Sequence, residues 1–304
     1  MPSDATQPSA RVLVGPSGWS YPDWAGIVYP RHAGKRFDAL AFIARYFDAV
    51  EVNTSFYRIP SPRMVDSWVH RVADRPLRFA FKLTQTFTHE RGDYTQTDVQ
   101  AYHEAVEPVA AAGRLGAVLV QFPWSFRRTP EALDWIRRLH GDFGQLPLAV
   151  EVRHTSWDVP DTPAELTAMG VALCNIDQPL LHDCIGPSAH RTAPLAYFRF
   201  HGRRRDTWFA QNIKPFERYD YLYTPAELAE WIPRIREVAQ TASEVFVFTN
   251  NHYRGQGPAN ALQLRAILEG RKISVPSELE AEFLDLRNVQ SDPDADAFPT
   301  SLFA

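Results

Sequence analysis

Eight short runs rich in β-branched and aromatic residues recur along the chain and constrain the fold more than any other sequence feature. Between most of them lie segments with the apolar spacing of amphipathic helices. Strands that alternate with helices indicate a parallel sheet, and eight is the number of strands that closes a (β/α)8 barrel. The predicted strands are residues 11–15, 49–53, 78–84, 115–121, 148–153, 170–176, 195–201 and 244–250.

The alternating pattern predicts one α/β domain, a single (β/α)8 TIM-like barrel over residues 11–272. Its length is close to the roughly 250 residues typical of that fold. Residues 177–194 contain prolines and a glycine but no clear helix, so helix six is expected to be missing or shortened. A doubly wound open sheet is the competing fold, but no Gly-x-Gly-x-x-Gly follows the first strand.

The two ends of the chain have a different composition from the barrel. Residues 1–10 are polar, carry no apolar run of the kind found in signal peptides, and are expected to be a flexible N-terminus. Residues 273–304 form a C-terminal extension, expected to be mobile from about residue 290, where Asp, Pro and Ser become frequent.

Composition argues against several classes of protein. The net charge of -4 argues against bulk nucleic-acid binding, which usually needs a basic excess. The two cysteines do not make a disulfide framework. No apolar run approaches the roughly 18 residues of a membrane span. We therefore expect a soluble, cytoplasmic protein without a membrane partner; the sequence leaves the oligomeric state open.

Strand 148–153 carries Glu151 and Arg153 on one face, whereas Val150 and Val152 lie on the other. Burying a charged pair is costly unless both groups are partnered, so this face is expected to line a polar site. The same alternation places polar groups at the carboxyl ends of most strands, where barrel enzymes have their sites. The predicted pocket contains Ser17, Glu51, Asn53, Lys82, Gln121, Glu151, Arg153, Asp177, Arg199, His201 and Asn250.

Two compatible chemistries follow from these residues. In the first, Glu51 and Glu151 act as acid and base, because nearby cations would hold one ionised while burial raises the pKa of the other. His201 would then shuttle a proton. In the second, three cations bind an anionic substrate or stabilise developing charge: Lys82, Arg153 and Arg199.

Metal binding is a less favoured alternative. A mixed set of carboxylates and imidazoles would suit Zn²⁺ or Mn²⁺. However, no His-x-His or His-Glu-x-x-His spacing occurs, and three cations in the same pocket oppose another positive centre. No cofactor and no metal ligand is therefore predicted. The residues considered for this role are Glu51, Glu151, Asp177 and His201, or His89, His154 and His252.

Two loops add aromatic residues to the predicted pocket. In residues 15–24, Trp19 and Tyr21 either stack on a sugar or base of the substrate or pack within the loop itself. Residues 202–223 interleave basic and aromatic side chains. Such a segment is typical of a groove for single-stranded nucleic acid, of a lid over an anionic substrate, or of a solvated surface loop.

Ten blocks of sequence resemble the YecE-like family, a widespread bacterial family of unknown function. The resemblance spans nearly the whole chain and implies a TIM-like barrel, but it implies no activity, cofactor or catalytic residue. Two departures are the C-terminal tail and Thr249, where relatives often have an aromatic residue. The blocks are GWSY at 18–21, EVNTSFY at 51–57, FK at 81–82, TH at 88–89, QFP at 121–123, EVRH at 151–154, SW at 156–157, RFHGR at 199–203, YLY at 221–223 and NNH at 250–252.

The sequence thus predicts an enzyme that acts by acid/base chemistry on a small polar substrate, either anionic or sugar-like. Hydrolysis, isomerisation and elimination all fit the residues, with Glu51, Glu151 and His201 as catalytic candidates. One alternative is a protein that binds or processes nucleic acid through residues 202–223. Another is a non-catalytic sensor of a small metabolite.

Overall fold

The computed structural model of the chain describes residues 10–291 and has an α/β fold in which all paired strands are parallel. The strands are β1 (Arg11–Pro16), β2 (Ala49–Val52), β3 (Arg78–Lys82), β4 (Leu115–Gln121), β5 (Leu148–Glu151), β6 (Ala172–Leu173), β7 (Asn175–Asp177), β8 (Leu195–Phe200) and β9 (Glu244–Thr249).

The helices alternate with these strands over most of the chain. Several begin at side-chain caps: Ser61 and Thr129 accept backbone N–H groups at the starts of the second and fourth helices. The helices are α1 (Ala39–Ile43), α2 (Pro62–Arg71), α3 (Gln96–Ala111), α4 (Pro130–Phe143), α5 (Asp161–Met169), α6 (Pro225–Ala229), α7 (Ile232–Ala239), α8 (Gln256–Glu269) and α9 (Ser277–Glu282).

The strands form two sheets, ordered β2-β3-β4-β5-β6 and β1-β9-β8-β7. Backbone hydrogen bonds connect the chain across both junctions. The Gly18 N–H donates to the Glu51 carbonyl at 2.8 Å, and the Cys174 N–H, between β6 and β7, donates to the Val150 carbonyl at 2.8 Å. The predicted sixth strand is thus divided at Cys174, and the closed eight-stranded barrel is not found as one continuous ladder.

Buried side chains lie in two layers, as the alternation along the strands requires. The outer layer packs the strands against the helices. The inner layer is mostly alanine on β2 to β5 and aromatic on β8 and β9, so that large rings fill the space opposite alanines. Its members include Leu13, Ala49, Ala80, Ala117, Leu119, Ala149, Ala172, Cys174, Ile176, Tyr197, Phe246 and Phe248.

Two segments depart from simple alternation. The chain between β7 and β8 contains no helix, at the place where the sequence predicts one to be missing or shortened. After residue 272, the chain packs back on the outer layer through the fully buried Leu279 and Leu286. Of the tail predicted to be mobile from about residue 290, the structure describes only Gln290 and Ser291. Of the predicted flexible N-terminus, it describes only Ala10. Within the described chain, no helix is long and apolar enough to cross a bilayer.

Candidate functional site

Arg199 joins two glutamates at the centre of the inner layer. Its Nη1 donates to Glu151 Oε2 and its Nη2 to Glu51 Oε1, each at 2.6 Å. Because β8 carries the arginine while β5 and β2 carry the glutamates, one guanidinium links three strands. All three side chains are buried, which makes the two ion pairs inaccessible to bulk water.

Glu51 accepts two further hydrogen bonds from uncharged groups. The Ser17 hydroxyl donates to Oε1 at 2.9 Å, and the Tyr197 hydroxyl donates to Oε2 at 2.8 Å. Together with Arg199, these donors surround the carboxylate. These hydrogen bonds fix the position of the Glu51 carboxylate on the inner face.

Glu151 is contacted by two arginine side chains and a histidine ring. Arg153 donates through Nε to Oε1 at 2.8 Å, and His201 Nε2 lies 3.2 Å from the same oxygen. Burial acts to raise the pKa of Glu151, but Arg199, His201 and Arg153 outweigh it and hold that pKa well below its usual range. Glu151 is therefore ionised at neutral pH.

His201 is a neutral group in this environment. Burial lowers its pKa to about 3, and Arg153 and Arg199 act in the same direction against the opposing effect of Glu151. A neutral ring with its proton on Nε2 donates to Glu151 and accepts at Nδ1 from Asn250 Nδ2, 3.2 Å away. His201 thus orients Glu151 and does not exchange a proton between pH 5 and 8.

Lys82 differs from the other cations of the site because its partners are uncharged. Its Nζ donates to Gln121 Oε1 at 2.9 Å and lies 4.2 Å from the centre of the Phe56 ring. Among residues 10–291, no carboxylate lies within ion-pairing distance of this ammonium, since Glu51 and Glu151 are held by arginines. The side chain nevertheless keeps part of its surface accessible to solvent.

The pKa of Lys82 lies close to neutrality as a result. Burial lowers it to about 7, and the positive charges of Arg199 and Arg153 add to the effect of burial, while Glu51 and Glu151 oppose it. A lysine in this range exists as both ammonium and free amine near neutral pH, whereas the pKa values of Glu151 and His201 both lie well below neutrality.

The placement predicted for Asp177 is wrong. Cys174 and Ile176 occupy the inner layer, so Asp177 points to the opposite side of β7, between strand and helix. There its carboxylate accepts hydrogen bonds from the Tyr223 hydroxyl and the Trp231 indole, each at 2.6 Å, and from Arg203. The hydrogen bonds of the Asp177 carboxylate are thus made within the protein on the helix side of the sheet, and the side chain does not face the site.

The aromatic loop after β1 lies beside the site, but its side chains mostly contact other residues of the protein. The Tyr21 hydroxyl donates to the Ser17 carbonyl at 2.8 Å, its ring stacks on His252, and Asn53 Nδ2 lies 3.5 Å from its oxygen. Trp19 packs edge-on against Trp68 of α2. Tyr21 and Asn53 therefore border the site, whereas Trp19 is directed towards the helix layer.

Residues 202–223 cover the carboxyl ends of the strands. Trp208 is buried with its ring 5.6 Å from the Arg153 guanidinium, and Tyr219 packs 6.2 Å from the His201 ring. Two basic residues of the segment are paired with acids, Arg203 with Asp177 and Glu230, and Arg204 with Asp206 and Asp220. The segment therefore covers the site. The ion pairs of Arg203 and Arg204 reduce the positive charge that it could offer to a nucleic acid.

Other possible binding features lie elsewhere. A cavity of about 260 Å³ opens near the amino-terminal ends of β2 and β3, lined by Arg45, Tyr46 and Arg265 among others, and is remote from the predicted pocket. In the described chain, no group of three or more His, Cys, Asp and Glu side chains is arranged to hold a metal ion.

Two residues of the site are missed by the sequence, and a third is predicted only by its position. Strand alternation places Tyr197 on the inner face with Arg199 but gives it no role. Trp208 and Tyr219 belong to a segment without periodicity. Nothing in their spacing places them above Arg153 and His201.

The comparisons with known proteins agree on a family. Residues 13–282 match the family described as "Protein of unknown function DUF72". The UPF0759 protein YunF of Bacillus subtilis is 28% identical over 273 residues, covering 85% of this chain and 95% of YunF. The UPF0759 protein YecE of Escherichia coli K12 is 30% identical over 146 residues, covering 47% of this chain and 48% of YecE.

Crystal structures of similar proteins extend the match to the fold. A DUF72 family protein from Thermotoga maritima superposes with a TM-score of 0.75 at 34% identity, covering 85% of this chain and 99% of its own. One from Enterococcus faecalis gives a TM-score of 0.75 at 27% identity, covering 85% and 95%. Together with the resemblance of the sequence blocks to YecE-like proteins, these matches show that the chain belongs to the DUF72 family, whose function is unknown.

Proposed function

We propose that this protein is an enzyme that acts on a small polar substrate at the carboxyl ends of its strands, with Lys82 as the group that exchanges a proton. The observation that carries this proposal is the ammonium of Lys82, buried against Gln121 and Phe56 without a carboxylate partner. A general acid or base is most effective when its pKa lies near the working pH, and the pKa of Lys82 is about 7.

The predicted catalytic residues take supporting roles in this proposal. Glu51 and Glu151 are held in place by hydrogen bonds from Arg199 and neighbouring donors, so they fix the geometry around Lys82. His201, being neutral, orients Glu151. Arg153 remains the candidate for binding an anionic group of the substrate, because it lies under the covering Trp208.

We also propose that the two sheets form one closed barrel, which supplies a rigid frame for this site. Support comes from the hydrogen bonds at the junctions, Gly18 to Glu51 on one side and Cys174 to Val150 on the other. The isolated bridge between Ser17 and Glu51 adds to them. Enclosure on all sides would keep water from the Arg199 ion pairs.

A ligand screen followed by a turnover assay tests the proposed activity. Phosphorylated metabolites, sugars, nucleotides and divalent metals are first ranked by the rise in melting temperature that they cause, since a ligand of the folded state stabilises it. The ligands that bind are then incubated with the protein and followed by NMR for conversion. The reaction class, whether hydrolysis, isomerisation or elimination, is read from the products.

The variant Lys82→Met is expected to bind the same ligands with turnover reduced by about 100-fold or more, as when a general acid or base is removed. The control is Lys35→Met, at an exposed position. Unchanged turnover in Lys82→Met contradicts the role of Lys82. Ligands that stabilise the protein without any conversion favour the metabolite-sensor alternative instead.

A further inference from the structure

Lysine is rare in this chain, and one of its lysines is unlike the others. The sequence contains Lys35, Lys82, Lys214 and Lys272. Three of these are exposed, whereas Lys82 ends β3 on the inner face and keeps only part of its surface accessible. Chemistry on amines can therefore be assigned to individual lysines without ambiguity.

The surroundings of Lys82 do not match those of a structural lysine. A buried ammonium that serves stability normally pairs with a carboxylate, because desolvating a charge without a partner is costly. Two carboxylates lie nearby, yet both are held by arginines at 2.6 Å. Lys82 has instead one neutral acceptor, Gln121, and the face of the Phe56 ring.

Such a lysine is suited to react as a nucleophile as well as to move protons. Only the free amine has the lone pair that attacks a carbonyl carbon, and desolvation is a recognised means of making the amine available at neutral pH. The depressed pKa of about 7 agrees with this geometry. An exposed lysine, by contrast, is almost entirely protonated at pH 7.

We propose that Lys82 forms an imine with a small aldehyde or ketone, which makes such a carbonyl compound the substrate class of this site. The proposal rests on the proposed function in taking Lys82 as the reacting residue. In the reaction, the Nζ lone pair forms a bond to the carbonyl carbon. The C–O bonds break as the oxygen takes up the two protons that the amine nitrogen releases and leaves as water, and a C=N bond remains. No oxidant or reductant is consumed.

The residues around Lys82 suit the cationic form of that product. A protonated imine carries its positive charge where the ammonium charge was, 4.2 Å from the Phe56 ring, whose face attracts cations. The negative charges of Glu51 and Glu151 favour a cation at this position. The amide oxygen of Gln121, 2.9 Å away, can accept the N–H of the imine.

Reductive trapping tests the proposal on the intact protein. Glycolaldehyde or glyoxylate is added as the probe at pH 7 with sodium cyanoborohydride, which delivers hydride to an imine and leaves a stable secondary amine. Peptide mass mapping then measures the labelling rate of each lysine. Lys82 is expected to react about ten-fold or more faster than the three exposed lysines, because far more of it is free amine. Equal or slower labelling of Lys82 overturns the proposal.

The pH dependence provides a second readout that accessibility alone would not produce. Labelling of Lys82 should rise with a midpoint near pH 7, following its pKa. For a fully solvated amine, the reference lysine pKa of about 10.4 makes labelling rise over a much higher pH range. A Lys82 profile that parallels that of Lys35 contradicts the proposal.

The outcomes separate this inference from the proposed function. Circular dichroism first shows whether Lys82→Met is folded. If the folded variant loses the turnover found by the ligand screen but Lys82 of the wild type is not labelled, the imine is wrong and proton exchange by Lys82 is supported. If Lys82 is labelled while the turnover of Lys82→Met is unchanged, both the productive imine and the proposed function are wrong. Labelling together with lost turnover supports both.

Discussion

The guanidinium of Arg199 lies 2.6 Å from the carboxylate of Glu151, and both side chains are almost completely buried. The same guanidinium also holds Glu51 at 2.6 Å, so a single cation neutralises much of the charge of two anions. Buried ion pairs of this kind add little net stability but are costly to break. Their main effect here is to fix three strands and leave Lys82 without a counterion.

Replacing Arg199 by methionine should destabilise the fold by about 3 to 5 kcal/mol at pH 7, because two carboxylates would remain buried without their shared cation. The loss should be smaller at pH 5. Without Arg199 the pKa of a buried glutamate rises above its value in the unfolded chain, so protonation at lower pH restores stability. Urea unfolding at the two pH values measures both effects.

The matched control for this substitution is Arg137→Met. Arg137 pairs with Asp134 on the surface of α4, where both side chains are more than half exposed. Exposed pairs contribute little, so the unfolding midpoint should hardly move at either pH. An Arg199 variant that behaved like this control would show that the buried pairs are dispensable.

The depressed pKa of Lys82 predicts a pH-dependent effect of removing it. Its pKa is about 7 in the folded protein and near 10.4 in the unfolded chain, so the unfolded state binds more protons between these values. The wild-type protein should therefore gain stability from this group as the pH rises from 6 to 9, by about 2 to 3 kcal/mol.

The variant Lys82→Met lacks this dependence. Its stability relative to the wild type should be higher at pH 6 than at pH 9, which urea unfolding at both pH values can measure. Lys35→Met, at an exposed site, should follow the wild type at both. An equal difference between Lys82→Met and the wild type at the two pH values would argue against a depressed pKa.

The sequence was sufficient to bring Glu51, Lys82, Glu151 and Arg199 to one face, because strand alternation is local and these strands have a clear contrast between small or polar and bulky residues. It was not sufficient for Asp177. The run 170–176 carries apolar residues on both faces, so its orientation is decided by the division at Cys174 and by the partners Tyr223 and Trp231.

The protonation states could not be predicted from the sequence either. Lys82 and Arg199 lie on the same face of their strands, and alternation does not decide which of them reaches the glutamates. That depends on distances across the inner layer, where the longer, forked guanidinium contacts both carboxylates. The proposed acid/base role of the lysine, in place of the glutamates, therefore rests on the geometry and not on the sequence.

Gly15 is expected to tolerate no side chain. A Cβ atom at this position would lie 1.7 Å from the carbonyl oxygen of Ala49, where β1 approaches β2. The strands cannot separate freely, because the Asp48 N–H donates to the Val14 carbonyl beside this contact. Gly15→Ala should therefore cost about 3 kcal/mol or more, at the upper end of overpacking effects, or prevent folding.

Gly141→Ala is the control for Gly15→Ala. Gly141 lies within α4, and a Cβ atom there would meet nothing within 4 Å. Alanine is the better helix former, so this variant should be as stable as the wild type or more stable by up to about 1 kcal/mol. Thermal unfolding of the two variants distinguishes the cases, and a stable Gly15→Ala would contradict the close approach of the two strands.

Asp177 is expected to anchor the segment that covers the site. Its carboxylate accepts hydrogen bonds from the Tyr223 hydroxyl and Arg203, which belong to that segment, and from the Trp231 indole, which lies just before α7. In Asp177→Asn an amide N–H₂ replaces one accepting oxygen and faces a donor, so about 2 to 3 kcal/mol should be lost. Residues 202–223 should also be cut faster by trypsin at Arg203, because their attachment to the barrel is weakened.

Asp206→Asn serves as the control, since Asp206 is exposed and pairs only with Arg204 in the described chain. Equal cleavage rates in the two variants would show that the cover is held by its aromatic contacts and not by Asp177.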